Sequence, residues 1–265
     1  MGSQISPPES NQSVVRRIPR LLEFRGIRKW GLEQYRRQVR KIYDGPAGQM
    51  LPLGSILSLH EPLAGHLLRT KKFDISRFHD ILDVGSGAGQ LLRHILRFAQ
   101  PDARIVGCDL STQMLRRAQR RLRSSRPIMC TADITSLPFA DNSFDCITCG
   151  WVLEHLPDPR PGLAEFARVL RPNGSILILA TEDTFSGAVV SWTWKCRTYS
   201  RQELRQACED VGLTWRSEIW FTRFHEFFKM GGILIEVVHA EQTQTQTPDK
   251  EETQTDSHTV EPALS

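Results

Sequence analysis

The 265-residue chain has no uninterrupted apolar run near the about 18 residues that a membrane-spanning helix requires. Its first residues, MGSQISPPES, lack the apolar core of a secretion signal. Net charge is also scarce: 34 Lys and Arg against 30 Asp and Glu leave +4, too little to argue by itself for a nucleic-acid partner. Cysteines number six, and four of them (Cys108, Cys130, Cys146 and Cys149) sit in or beside short apolar runs, where a thiol acts as a small apolar group. Cys146 and Cys149 have the spacing of a metal or redox pair. On a strand, however, residues three apart face opposite sides, so no metal site is expected. A reduced, cytoplasmic protein is the expectation. With 40% hydrophobic and 24% charged residues, the composition is that of one large α/β domain with extensions.

The stretch that organises the chain is Ile81 to Gly89, ILDVGSGAG. A short apolar run ending in glycines reads as a buried parallel strand followed by a tight turn. Leu91, Leu92, Ile95, Leu96 and Phe98 then recur at helical spacing, so the order is strand, glycine turn, helix. Gly85, Gly87 and Gly89 allow positive φ and close approach of a ligand to the backbone, at a helix N-terminus whose N–H groups are free. The spacing is G-x-G-x-G, not the G-x-G-x-x-G of dinucleotide-binding folds, which counts against a nicotinamide oxidoreductase. A second strand, Arg104 to Cys108, ends in Asp109, where a carboxylate can accept hydrogen bonds from a ribose diol. Asp109 or Ser111 can cap the following helix, and Ser111 suffices alone.

A third strand is expected over Pro127 to Ala132 and a fourth over Phe144 to Cys149. Four segments in order, DVGSGAG, GCDLS, ADITSLPFADNSFD and RPNGSILIL, resemble the class I S-adenosylmethionine-dependent methyltransferases. The resemblance runs from about Gly54 to Val238 and is nearest the small-molecule group that includes the ubiquinone and menaquinone methyltransferases. It implies a doubly wound, Rossmann-like α/β fold. The sheet would have seven strands, mostly parallel, with a final antiparallel hairpin. The cofactor implied is S-adenosyl-L-methionine. Asp83, Gly85, Gly87 and Gly89 would surround its methionine part, Asp109 would hold the ribose, Asp133 with Ile134 would frame the adenine, and Trp151 would lie beside the reactive centre. No (N/D)PP(Y/F) segment follows the fourth strand, only GWVLEHL, so a nucleic-acid substrate is not expected. The acceptor is read as a small, lipophilic molecule. A protein that binds the cofactor without turnover is the alternative of a different class.

The catalytic residues are not legible. His155 in EHLPDP reads either as a general base or as a loop histidine bonded to backbone. Tyr43-Asp44 resembles the Tyr-Asp of the quinone group. Trp192 and Trp194 read either as a substrate wall or as core, and Asp145 as a turn residue. Helices are expected at Gln113 to Arg123, Arg160 to Leu170 and Ser200 to Val211, the last opened by a Ser200/Glu203 capping box and stopped by Gly212. Strands are expected at Ser175 to Thr181, Leu213 to Phe221 and Gly232 to Val238.

Residues 46–240 thus form the expected cofactor-binding domain. Residues 1–45 form a basic extension, partly disordered over Met1 to Ser13, with ten Lys or Arg against Glu23 and Glu33 between Arg16 and Lys41. Within it Leu32, Tyr35, Val39 and Ile42 make one helical face, and Arg36, Arg37, Arg40 and Lys41 the other. Two readings are open: a helix packed on the domain with a solvated basic side, or contact with an anionic membrane surface or an acidic partner. Gly2 and Ser6 match the M-G-x-x-x-S myristoylation pattern. Leu51 to Thr70 is expected to be helical from about Ile56. Residues 241–265, rich in Gln and Thr, are expected to be a disordered tail.

Overall fold

The computed structural model describes residues 31–45, 48, 60–227 and 232–241. The seven strands are β1 (Asp80–Val84), β2 (Arg104–Asp109), β3 (Ile128–Thr131), β4 (Phe144–Gly150), β5 (Leu170–Ala180), β6 (Leu213–Glu218) and β7 (Ile233–His239). They form one sheet in the order β3-β2-β1-β4-β5-β7-β6. Neighbours from β3 to β5 run parallel, and β7 is antiparallel to both β5 and β6. The doubly wound sheet and the reversed final strand are as the sequence predicts.

The helices are α1 (Leu32–Asp44), α2 (His60–Arg69), α3 (Gln90–Phe98), α4 (Thr112–Leu122), α5 (Arg160–Val169), α6 (Phe185–Trp194), α7 (Arg201–Glu209) and α8 (Arg223–Phe227). None among the described residues is long and apolar enough to cross a membrane. Alternation along the strands divides the core into two layers. Leu82, Val84, Ile147, Cys149 and Ile178 pack on one face of the sheet with α1, α5 and α7. Ile81, Ile105, Cys146, Leu177 and Leu179 pack on the other with α2 and α3. Cys146 and Cys149 therefore lie in different layers. All six cysteines are free, and no metal-holding group occurs among the described residues. Each fully buried Leu or Ile contributes about 1.5–3 kcal/mol.

The structure departs from the sequence reading at several elements. α6 goes unanticipated because FSGAVVSWTW is apolar nearly all round and shows no helical stripe, although Thr184 caps it by accepting from the Gly187 N–H at 3.2 Å. β6 stops at Glu218, and the aromatic-rich segment after it turns into the short α8. β5 begins five residues early, at Leu170. Asp145 lies within β4, where its carboxylate accepts from the His79 and Asp80 N–H groups at 3.0 and 2.9 Å and pins the start of β1. Ser200 caps α7 by accepting from the Glu203 N–H at 3.1 Å, but the Glu203 carboxylate pairs with Arg197 instead of closing the box. The outer basic residues Arg16 to Lys29, the Leu51 to Leu59 stretch, Gly2, Ser6 and the tail from Gln242 lie outside the described residues.

Candidate functional site

β1 has β2 on one side and β4 on the other, so the connections leaving β1 and β4 diverge at the carboxyl end of the sheet. That divergence opens a crevice in which doubly wound folds bind ligands. Here it encloses about 1300 Å³ of empty space, open solvent included. The lining includes Asp83 of β1 with Gly85, Ser86 and Gly87 after it, Asp109 at the end of β2, Ile134 after β3, Trp151, Val152, Glu154 and His155 after β4, and Tyr35, Val39 and Tyr43 from α1.

The glycine turn is shaped by backbone. Gly85, Gly87 and Gly89 have φ of +70°, +53° and +82°. A Cβ on Gly85 would stand 2.2 Å from Val152 Cγ2, so side chains are excluded there by space as well as by conformation. The Ser86 N–H donates to the Cys108 carbonyl at 2.9 Å, and the Gly87 N–H to Asp109 Oδ2 at 2.9 Å. Asp109 Oδ1 accepts from the Ser111 N–H at 2.8 Å, while the Ser111 hydroxyl oxygen accepts from the Met114 N–H at 3.1 Å and caps α4. The two candidates for the cap are thereby separated: Ser111 caps, and Asp109 joins the two loops at the cleft.

Three carboxylates at this site are strongly desolvated. Asp83 Oδ1 accepts from the Thr148 hydroxyl at 2.7 Å, and Oδ2 is buried without a partner. Burial pushes the Asp83 carboxyl up to about 6, against the pull of Thr148 and Ser86. Burial likewise raises Asp109 to about 6, against the N–H groups of Ser111 and Gly87. Glu154, 1% exposed, is raised by burial to about 7; its Oε1 accepts from the Thr181 N–H at 2.6 Å and its Oε2 has no partner. A lone carboxylate in a strand-exit loop has no sequence signature, and Glu154 is absent from the sequence-level candidates for that reason.

The two catalytic candidates meet. The Tyr43 hydroxyl and His155 Nε2 are 2.6 Å apart, although 112 residues separate them. Burial lowers the His155 imidazole to about 4, so it is neutral at pH 7 and exchanges a hydrogen bond with the phenol. Burial raises the Tyr43 hydroxyl well above its usual value. The Trp151 backbone is left-handed, with φ of +57°, which is strained for a bulky residue and held by its N–H donating to Leu179 O at 2.7 Å. Its ring meets His60 of α2 edge-on at 4.7 Å. Trp194 lines the cleft, whereas Trp192 on the same helix is 73% exposed.

Asp133 and Gly89 are not among the lining residues. Gly89 is the N-cap of α3, where a Cβ would press on Leu122 at 3.2 Å. Asp133 Oδ1 accepts from the Thr135 N–H and hydroxyl, both at 2.8 Å, and Oδ2 from Arg36 Nε at 2.6 Å. Burial alone would raise this carboxyl, but Thr135 and Arg36 hold it below the usual range. Arg36 thus leaves the solvated face assigned to it and ties α1 to the domain. Leu32, expected on the packed face, is exposed. The far end of α1 is held by Arg117, which donates to the Tyr43 and Asp44 carbonyls at 2.6 and 3.2 Å, and by a Ser111 hydroxyl bond to the Asp44 carboxylate. Tyr35 and Val39 are buried against the cleft, while Arg37, Arg40 and Lys41 stay exposed. The helix is packed on the domain with a solvated basic side.

S-adenosylmethionine, implied by the sequence resemblance, fits these residues. It carries a sulfonium and an α-ammonium, and the cleft offers Asp83 and Asp109 beside the glycine turn with no Lys or Arg among the described lining residues. The orphaned Asp83 Oδ2 and the left-handed Gly85 and Gly87 lie on its β1 side.

Comparisons with known proteins agree with this architecture. A family model described as a methyltransferase domain matches residues 82–178. The chain is 30% identical over 148 residues to a ubiquinone/menaquinone biosynthesis C-methyltransferase of Desulfotalea psychrophila, covering 54% of this chain and 58% of that one. It is 32% identical over 147 residues to a demethylmenaquinone methyltransferase of Corynebacterium urealyticum, covering 56% and 61%. A malonyl-[acyl-carrier protein] O-methyltransferase of Hahella chejuensis is 33% identical over 158 residues, with 56% and 55% covered. The chain therefore spans between about half and three fifths of the length of these relatives. Among solved structures, a geranyl diphosphate C-methyltransferase from Streptomyces coelicolor A3(2), in complex with S-adenosyl-L-homocysteine, superposes with a TM-score of 0.55 at 16% identity, over 69% of this chain and 80% of that one. The mitomycin 7-O-methyltransferase superposes with a TM-score of 0.58 at 19% identity, over 69% and 55%. The glycine turn, Asp109, Glu154 and His155 thus all lie within residues 82–178, the segment that matches the methyltransferase-domain model.

Proposed function

We propose that the protein binds S-adenosylmethionine and methylates a small, largely apolar acceptor. The observation that carries this reading is the single cleft that joins Asp83, the glycine turn and Asp109 on one side to Tyr43, Glu154 and His155 on the other. When bound, the cofactor supplies a methyl group already activated by its sulfonium. The chain's own task is to align two reactants and exclude water, and alignment alone can supply about 7–11 kcal/mol. Asp109 would hold the ribose hydroxyls and Asp83 the ammonium. α1, tied down at both ends by Arg36 and Arg117, would roof the cleft with Tyr35, Val39 and Tyr43.

The relatives' names divide over carbon, in ubiquinone/menaquinone biosynthesis, and oxygen, on malonyl-[acyl-carrier protein], as the methylated atom. A lining with Tyr35, Val39, Leu110, Ile134, Val190 and Trp194 supports an apolar acceptor. The lack of a lining Lys or Arg among the described residues disfavours an acceptor that bears a free carboxylate, because nothing would neutralise it. Calorimetry of the purified protein should show binding of S-adenosylmethionine and S-adenosylhomocysteine but not of NAD. Metabolite profiling with methyl-labelled S-adenosylmethionine, with and without the protein, should then reveal one labelled small molecule. Tight NAD binding without affinity for S-adenosylmethionine sinks the reading.

A further inference from the structure

The cofactor accounts for Asp83 and Asp109 but leaves Glu154 without a task. Glu154 is buried, lines the cleft, and turns Oε1 to the Thr181 N–H while Oε2 meets no partner. A carboxylate fully removed from water with one oxygen unmatched is costly unless a ligand completes it. Rings surround the same space: Tyr43, Trp151, His155 and Trp194 all line it. Arg197 stands behind Glu154, but its guanidinium is directed to the Pro157 carbonyl at 2.8 Å, to the Glu203 carboxylate and onto the Tyr199 ring at 4.5 Å.

Aromatic walls around an unmatched carboxylate, with no competing cation in the described lining, are chemistry that recognises an organic cation. Resting on the methyltransferase reading above, we propose that Glu154 is the acceptor-binding base of this site and that the acceptor is an amine, entering as its ammonium. The acceptor's N–H bond breaks toward Glu154 Oε2, and the carboxylate becomes a carboxylic acid. The freed nitrogen lone pair forms the new N–CH3 bond, and the electron pair of the broken CH3–S bond stays on sulfur. Burial, which raises the Glu154 carboxyl to about 7, equips it to hold a proton near neutrality. The other ionisable groups facing it are Tyr43 of α1, Cys149 of β4, and Arg197 and Tyr199 ahead of α7. Burial keeps Tyr43, Cys149 and Tyr199 protonated, so Glu154 alone among them changes charge between pH 6 and 8.

The test is binding, not turnover. Full-length protein saturated with S-adenosylhomocysteine is titrated by calorimetry with three isosteric series: arylalkylamines beginning with 2-phenylethylamine, the matching alcohols and the matching carboxylates. Amines are expected to bind at least tenfold more tightly than alcohols, and carboxylates not to bind. Glu154→Gln should abolish the preference of amine over alcohol while leaving S-adenosylhomocysteine affinity within about twofold. Amine affinity should rise as pH is raised from 6 to 8 in the native protein and stay flat in Glu154→Gln. Carboxylates or alcohols binding as tightly as amines in the native protein overturns the proposal, whether or not the variant folds. Loss of S-adenosylhomocysteine binding in a folded Glu154→Gln protein reassigns Glu154 to the cofactor and overturns it too. Failure of the native protein to bind S-adenosylhomocysteine is instead a failure of the methyltransferase reading.

Discussion

On the β1–β2 side of the cleft the contacts run between backbone amides and near neighbours in sequence: Ser86 N–H to Cys108 O, and Gly87 N–H to Asp109, 22 residues apart. On the β4–β5 side they run between side chains brought from far away. Tyr43 reaches His155 across 112 residues. The first side is a strand–turn–helix unit that positions a ligand through groups every residue possesses. The second depends on which side chains the docking of α1 and α6 delivers. A site divided in this way keeps its cofactor grip constant while the acceptor wall can vary.

The sharpest way to break the comparison is Gly85→Ala. The new methyl would meet Val152 on a backbone with φ of +70°. Left-handed strain of about 1–2 kcal/mol adds to overpacking of about 1–3 kcal/mol. Cofactor affinity should fall at least tenfold and the thermal midpoint should drop clearly in scanning calorimetry. An unchanged midpoint would mean that the β1–β4 contact is looser than it stands here.

Asp109→Asn comes next. It removes a charged acceptor worth about 1.5–3 kcal/mol to a ribose diol, so S-adenosylmethionine affinity should weaken roughly tenfold or more. The α4 cap should persist through Ser111. Equal affinity would leave Asp109 only its tie between the two loops.

A pH series on the ligand-free protein separates the two sides by linkage. Asp83 and Asp109 are raised from 3.8 to about 6, and Glu154 from 4.5 to about 7, each by burial. A raised carboxyl means that the folded state holds the proton more tightly, so its contribution is fully present below pH 4 and is lost as pH rises through 6 to 7. Thermal unfolding at pH 5 to 8 should show Glu154→Gln losing less stability than the native chain across this window. Parallel curves would show that Glu154 does not titrate there.

Tyr43→Phe tests the second side more gently. It deletes a 2.6 Å bond to His155, a loss of about 0.5–1.5 kcal/mol, while S-adenosylhomocysteine affinity should change less than threefold. A larger fall would place Tyr43 in the cofactor half. The smallest effect is expected from exchanging the exposed Arg37, Arg40 and Lys41 together for Gln. Stability and cofactor affinity should stay within error, and salt-sensitive sedimentation with anionic vesicles, at about 1 kcal/mol per cation near such a surface, should weaken. No sedimentation of the native protein at low salt would leave this face simply solvated.

Much of the β1–β2 side is legible in the residue order. The run ILDVGSGAG carries strand, turn and helix start within nine residues, and Asp109 follows one strand later, so local propensity and short-range pairing decide its structure. The sheet class, the left-handed glycines and the Ser111 cap follow from the same local rules. Other features are decided only when distant segments pack. Asp133 has the sequence context of a cofactor ligand, but Arg36 of the docked α1 claims one of its oxygens. Tyr43 and His155 carry no mutual signal in the chain. Glu154 looks like any loop carboxylate until burial strips its water and leaves one oxygen unmatched. α6 forms from a segment with no amphipathic stripe because one face meets the cleft while Phe185, Val189 and Trp192 remain in solvent. The sequence by itself determines the fold and the cofactor turn, because backbone geometry follows from neighbouring residues. The tertiary structure decides the acceptor wall, because desolvation and pairing of side chains more than a hundred residues apart exist only once the chain has closed.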